Sequence, residues 1–159
     1  MTRPDAPAIT PVVTDADWQA VVAIRTAVFI VEQRCPPEEE WDAYDAPEVR
    51  GRQAHHLLAR VRAVPAGTAR WYVRQDAEDA AGLVWMGRFA VLPPYRGRGV
   101  GRALVAQALA DARTAGYSRF ALHAQAHLAA FYAAFGFVAE GTPFDEVGIP
   151  HVKMALTDP

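Results

Sequence analysis

Residues 96–101 read Arg-Gly-Arg-Gly-Val-Gly, between the apolar run 82–92 and an Ala/Leu-rich amphipathic segment ending near Ala115. That order specifies strand, glycine loop, helix. Alternate glycines let the backbone turn tightly and approach a ligand closely, and the following helix offers unpaired N–H groups and its positive dipole end to an anion. The loop is expected to cradle a pyrophosphate. Spacing excludes two nucleotide motifs: a G-x-G-x-x-G counted from Gly97 meets Arg102 at its sixth position, and no G-K-[ST] triplet occurs.

The pattern that does fit is [Q/R]-x-x-G-x-[G/A], supplied by Arg96, Gly99 and Gly101 after a strand carrying Phe89, Ala90 and Val91. Downstream, Leu128, Phe131 and Phe135 fall at helical spacing, with Tyr132 among them and Gly136 placed to end the helix. The loop and the run F-Y-A-A-F-G-F at 131–137 resemble the two signatures of the GNAT N-acetyltransferases, in the family's order with one helix and one strand between them. The segments V-F-I-V-E-Q-R-C-P at 28–36 and G-I-P-H-V-K-M at 148–154 resemble the ElaA/YjcF-like branch of that superfamily. Together the similarities span roughly residues 14–156.

Composition agrees with one compact unit. A chain of 159 residues, 52% hydrophobic, fits a single domain with a sizeable core. A formal net charge of -2 with 21% charged residues lacks the basic excess of a nucleic-acid binder, so Arg96, Arg98 and Arg102 are better explained by one phosphate ligand. No apolar stretch approaches the about 20 residues that span a bilayer. The lone Cys35 and the absence of a charged-then-apolar leader lead us to expect a cytoplasmic protein.

Along the chain, 9–13 reads as a first strand, and Thr14 or Asp15 caps a helix expected to end near Val31. Pro36 and Pro37 open an acidic segment, Glu38 to Glu40 with Asp42 and Asp45, expected to be a short helix with a solvated face. Residues 55–64, 68–75 and 81–92 read as an antiparallel meander, with turns at Pro65-Ala66-Gly67 and at 76–79 and a candidate bulge at Gly87. A helix over 99–115 and a parallel strand over 120–125 follow. Strands at 137–140 and 151–156, separated by an excursion at 141–150, close an α/β fold with a mixed sheet.

The GNAT resemblance implies a mostly antiparallel sheet in which the third meander strand and the next parallel strand splay apart. Pantetheine of acetyl-CoA then lies along Phe89, Ala90 and Val91, and Arg96, Gly97, Arg98, Gly99, Val100, Gly101 and Arg102 hold the pyrophosphate. It also implies direct attack by an amine, free or on a peptide, with a backbone N–H near Val91 stabilising the oxyanion and no metal. Tyr132 is the candidate acid for the leaving thiolate; helix periodicity alone makes it a core aromatic. Glu32 and His151 are candidate bases for the acceptor ammonium, against the plainer readings of a solvated or capping carboxylate and a strand-edge imidazole. Another acyl-CoA, or a CoA-binding regulatory domain without turnover, remains open. His55 and His56 point to opposite strand faces, and His123 and His127 lack a third ligand, so zinc is not expected. The aromatic strand around Trp71 and Tyr72 is a candidate for the acceptor pocket or for a homodimer contact.

Overall fold

The computed structural model describes residues 5–74 and 82–159. Chain order is β1 (Ala8–Pro11), α1 (Asp15–Arg25) running into a π-helical turn (Thr26–Glu32), α2 (Pro37–Glu40), β2 (Ala54–Val61), β3 (Val64–Val73), β4 (Leu83–Val91), α3 (Val100–Thr114), β5 (Arg119–Gln125), α4 (Ala129–Ala133), β6 (Val138–Glu146) and β7 (Ile149–Thr157). The seven strands form one sheet in the order β1-β2-β3-β4-β5-β7-β6. Only β4 and β5 are parallel, as a crossover through α3 requires.

Local chemistry explains the ends of these elements. Thr14 caps α1: the Asp17 N–H donates to Thr14 Oγ1 at 3.0 Å and the Thr14 N–H donates back to Asp17 Oδ2 at 3.2 Å. This reciprocal box is worth about 1 kcal/mol. Val100, Leu104, Val105, Ala108, Leu109 and Ala112 form the buried stripe of α3, which packs with β2, β3 and β4 on one face of the sheet. Val21, Ile24 and Val28 pack with Leu58 and Ala90 as a second cluster. Adjacent Leu57 and Leu58 fall in different clusters, as alternation along a strand demands.

Three expectations need correction. The turn between β2 and β3 is at Arg62 and Ala63, both with positive φ (50° and 67°), while Pro65, Ala66 and Gly67 lie inside β3. Gly67 marks a close approach instead of a turn: a Cβ there would sit 2.9 Å from the Ala90 carbonyl oxygen and 3.1 Å from both Leu104 and Val100. The excursion expected at 141–150 is strand through Glu146, then a tight turn at Val147 and Gly148 (φ 47° and 77°), with a register shift between Glu140 and Phe144 absorbing the extra residues. The acidic segment does form a proline-initiated helix, but Glu40 and Asp45 are buried, not solvated. The turn expected at 76–79 lies outside the described residues.

What positions the site is the end of the β4–β5 pairing. The two strands pair from Leu83/Arg119 to Met86/Leu122, yet β4 runs on to Val91 and β5 to Gln125. Beyond Met86 they diverge and open the sheet.

Candidate active site

Beside Gly87, β4 carries a bulge. Thr68 faces Ala90 while Arg70 faces Gly87, so Ala69 opposes both Arg88 and Phe89, and Arg88 adopts φ 53°. A bulge re-aims side chains and releases backbone groups from the ladder, here at the mouth of the cleft. From Val91 the chain turns through Pro93–Tyr95 into the glycine loop, where Gly97 and Gly99 take φ 75° and 82°. Gly99 is the N-cap of α3, its carbonyl accepting from Ala103 N–H at 3.0 Å. The N–H groups of Val100, Gly101 and Arg102, in the first turn, therefore have no intrahelical acceptor and carry the positive end of the helix dipole.

These elements line a groove of about 950 Å³ that includes Phe89 to Val91, Arg96, Gly97 and Gly99 to Arg102. Arg98 is exposed and is not part of that lining. Arg96 is fixed twice: Nε donates to the Val91 carbonyl at 2.9 Å, and both terminal nitrogens donate to Glu32, at 2.6 and 2.7 Å. The hydrogen bond from Arg96 also holds the Glu32 carboxyl below its usual range. The structure thus brings Glu32 to the glycine loop, at the end of the π-helical turn. Next to it, Gln33 accepts a hydrogen bond from Gln125 at 3.0 Å, so this segment bridges to β5.

A second cavity, about 370 Å³, meets the groove at Gln33, Phe89, Gln125, Leu128 and Tyr132, which line both. Tyr132 lies at this junction. Its ring packs against Phe89, Phe131 and Phe137 with centroids 5.8, 5.1 and 6.3 Å away, and burial pushes its hydroxyl well above the ordinary tyrosine range. At neutral pH the hydroxyl therefore keeps its proton and can donate a hydrogen bond.

One wall of the chamber is a charge cluster. Arg25 (Nε to Glu40 at 2.7 Å, Nη1 to Asp45 at 2.6 Å) and Arg70 (Nη1 to Asp45 at 3.0 Å, Nη2 to Asp42 at 2.5 Å) are both almost fully buried. Arg88 adds a contact to Glu40 at 3.3 Å. Burial opposes ionisation of Asp45, but the Arg25 hydrogen bond and the charges of Arg25 and Arg70 outweigh it and hold the carboxyl at about 2. Burial likewise lowers His56 to about 4, so it sits neutral with Nε2 3.0 Å from the Tyr44 carbonyl. Sequence reasoning missed Arg25, Arg70 and Arg88. The available signal was an arginine on an apolar helix face and another between Ala69 and Trp71 on a buried strand. Tyr72 lines the chamber, stacked on Tyr44 at 3.7 Å, while its neighbour Trp71 is buried in the α3 core.

His151 is buried at the chamber, its Nδ1 2.7 Å from the Ile149 carbonyl and its Nε2 3.4 Å from Glu146. Cys35 also lines the chamber; burial, then the nearby Glu40 carboxylate, raises its thiol and suppresses the thiolate. Tyr132 and His151 thus share one cavity, and Glu32 lies in the adjoining groove. Among the described residues no group of three or more His, Cys, Asp or Glu side chains is placed to hold a metal, and no helix is long and apolar enough to cross a membrane.

Comparisons with known proteins agree with this geometry. Residues 28–158 match the family model described as acetyltransferase (GNAT) domain. Protein ElaA of Escherichia coli (strain K12) is 33% identical over 138 residues, 86% of this chain and 84% of that protein. The YyaT protein of Bacillus subtilis (strain 168) is 32% identical over 143 residues, 90% of each chain. The crystal structure of Escherichia coli ElaA superposes with a TM-score of 0.79 at 28% identity, covering 95% of this chain and 99% of that one. That of an acyl-CoA N-acyltransferase from Pseudomonas aeruginosa superposes with a TM-score of 0.79 at 31% identity, covering 96% and 99%.

Proposed function

Because the chain belongs to the GNAT acetyltransferase family and is thereby an acyltransferase enzyme, we propose that it moves an acetyl group from acetyl-CoA directly to a primary amine. The observation that carries this reading is the meeting of the two cavities at Phe89 and Tyr132: a groove on the glycine loop and a separate polar chamber share one junction where a thioester and an amine can touch. The groove suits the anionic donor. Its floor is the first turn of a 15-residue helix with unpaired N–H groups, and glycine at 97, 99 and 101 keeps side chains off that backbone.

In this reading acetyl-CoA supplies the thioester carbonyl, and the chain supplies position and proton traffic. The bulged edge of β4 from Phe89 to Val91 offers backbone hydrogen bonds to an extended arm and an N–H to the carbonyl oxygen as negative charge develops there. Tyr132, kept protonated by burial, donates a hydrogen bond to the departing sulfur as it gathers negative charge. His151 takes the proton that the acceptor ammonium must lose before it attacks. Glu32, engaged by both terminal nitrogens of Arg96, orients the loop rather than acting as a free base.

Melting temperature with saturating acetyl-CoA, CoA, succinyl-CoA, NAD and ATP tests the donor. A ligand at about 100 times its dissociation constant stabilises by about 2.7 kcal/mol. CoA species alone should raise the melting temperature, with acetyl-CoA ahead of succinyl-CoA. No response to any CoA compound would remove the groove from the reading.

A further inference from the structure

The cations of the chamber wall are matched within the wall, Arg70 by Asp42 and Asp45 and Arg88 by Glu40 and Asp42. Glu146 is placed differently. It ends β6, next to the tight turn at Val147 and Gly148, and lines the chamber between two imidazoles: Oε1 is 3.6 Å from His123 Nδ1 and Oε2 is 3.4 Å from His151 Nε2. Val147 holds φ 47°, a conformation a β-branched residue rarely adopts, and strain of this kind persists where the surrounding structure enforces it and concentrates at functional sites.

The tautomer of His151 sharpens the point. Its Nδ1 lies 2.7 Å from the Ile149 carbonyl, which can only accept, so Nδ1 carries the hydrogen. With that hydrogen in place, the other ring nitrogen, Nε2, faces the Glu146 carboxylate. A carboxylate oxygen and a ring nitrogen 3.4 Å apart on the chamber wall present a charge acceptor and a proton acceptor side by side to a donor that enters it. Resting on the acyl transfer set out above, we propose that Glu146 and His151 form the site that receives the acceptor as an alkylammonium ion, Glu146 holding its charge and His151 Nε2 accepting its proton.

The proton balance is simple. The N–H bond of the ammonium breaks, its electron pair stays on nitrogen as the attacking lone pair, and the proton makes His151 an imidazolium that donates to Ile149 and Glu146 at once. The groups facing Glu146 are His123 from β5, His151 from β7 and Arg88 from β4. The first of these, with the other two, keeps its carboxyl below the usual range against partial burial, so it remains an anion. Phe144 stacks on His151 with centroids 6.0 Å apart and meets His123 edge-on at 4.9 Å, fixing both rings. The substrate class follows: aliphatic primary amines, charged in solution, and not aromatic amines or alcohols that arrive neutral.

The test is titration of n-butylammonium and n-butanol into CoA-saturated protein, followed by NMR of the histidine ring signals. Butylammonium should shift the His151 signals and butanol should leave them in place. Glu146→Gln should weaken butylammonium at least tenfold, and Glu146→Asp should keep part of the affinity. Equal effects of the two ligands on the wild-type protein, absence of butylammonium binding, or undiminished affinity in a folded Glu146→Gln protein would each overturn the proposal. CoA binding, measured separately by calorimetry, isolates the acyl-transfer reading: its failure would leave the ammonium result standing.

Discussion

Asp45→Asn removes the carboxylate that holds together the buried wall of the polar chamber. Asp45 accepts from Arg25 at 2.6 and 3.0 Å, from Arg70 at 3.0 Å and from the Asp42 N–H at 3.0 Å, with 7% of its surface exposed. Its carboxyl falls from the ordinary 3.8 to about 2, which is equivalent to roughly 2 kcal/mol of stability at neutral pH. Because the folded value is the depressed one, this contribution is fully present above pH 3.8 and fades as pH falls through about 2. Urea unfolding followed by tryptophan fluorescence should therefore show the variant less stable by roughly 2 kcal/mol at pH 7 and by about half of that at pH 3. Arg25 keeps Glu40 and Arg70 keeps Asp42, so the variant still folds. A gap between the two proteins that is the same at both pH values would refute the ionic origin of the wall's stability.

Tyr132→Phe keeps the packing against Phe89, Phe131 and Phe137 but removes the hydroxyl proposed to assist the leaving sulfur, so kcat should fall by about a hundredfold while calorimetric CoA affinity stays within about twofold; an unchanged kcat would take Tyr132 out of the chemistry. Glu32→Gln should weaken CoA binding through a loosened Arg96 with kcat at saturating donor nearly unchanged, and a collapse of kcat alone would return Glu32 to the role of base. Gly67→Ala puts a methyl 2.9 Å from the Ala90 carbonyl and should destabilise by about 1–3 kcal/mol in the same urea assay. A neutral result there would mean that β3, β4 and α3 yield at Gly67 to make room for a methyl.

The elements that sequence revealed best were those whose signal is local. The alternate glycines of the loop are contiguous, the α3 stripe repeats at helical spacing, and Thr14 or Asp15 marks a helix start, so the helical runs from 14 to about 31 and over 99–115 are legible to within a few residues. The glycine loop that lines the groove and Tyr132 at the junction of the two cavities stood out for the same reason, since each sits in a short contiguous pattern. The β2–β3 turn was misread because Pro and Gly usually mark turns, whereas Gly67 is there to let the Ala90 carbonyl and α3 approach. The wall was misread because its partners are far apart in sequence: Arg25, Glu40, Asp45, Arg70 and Arg88 come from five separate elements, and nothing near 38–45 shows that three arginines will neutralise it. Glu146 was hidden in what read as an irregular excursion, because a strand with a register shift loses the alternation that identifies strands.

Direct transfer can be tested in one measurement: incubation with acetyl-CoA carrying a 13C-labelled acetyl group and an aliphatic primary amine, with mass spectrometry of amide and intact protein alongside thiol titration. Transfer within a ternary complex predicts one thiol released for each labelled amide formed, and no labelled acetyl on the protein at any time. Thiol release without amide, or a labelled acetyl that builds up on the chain before the amine is added and is then passed on, would contradict it.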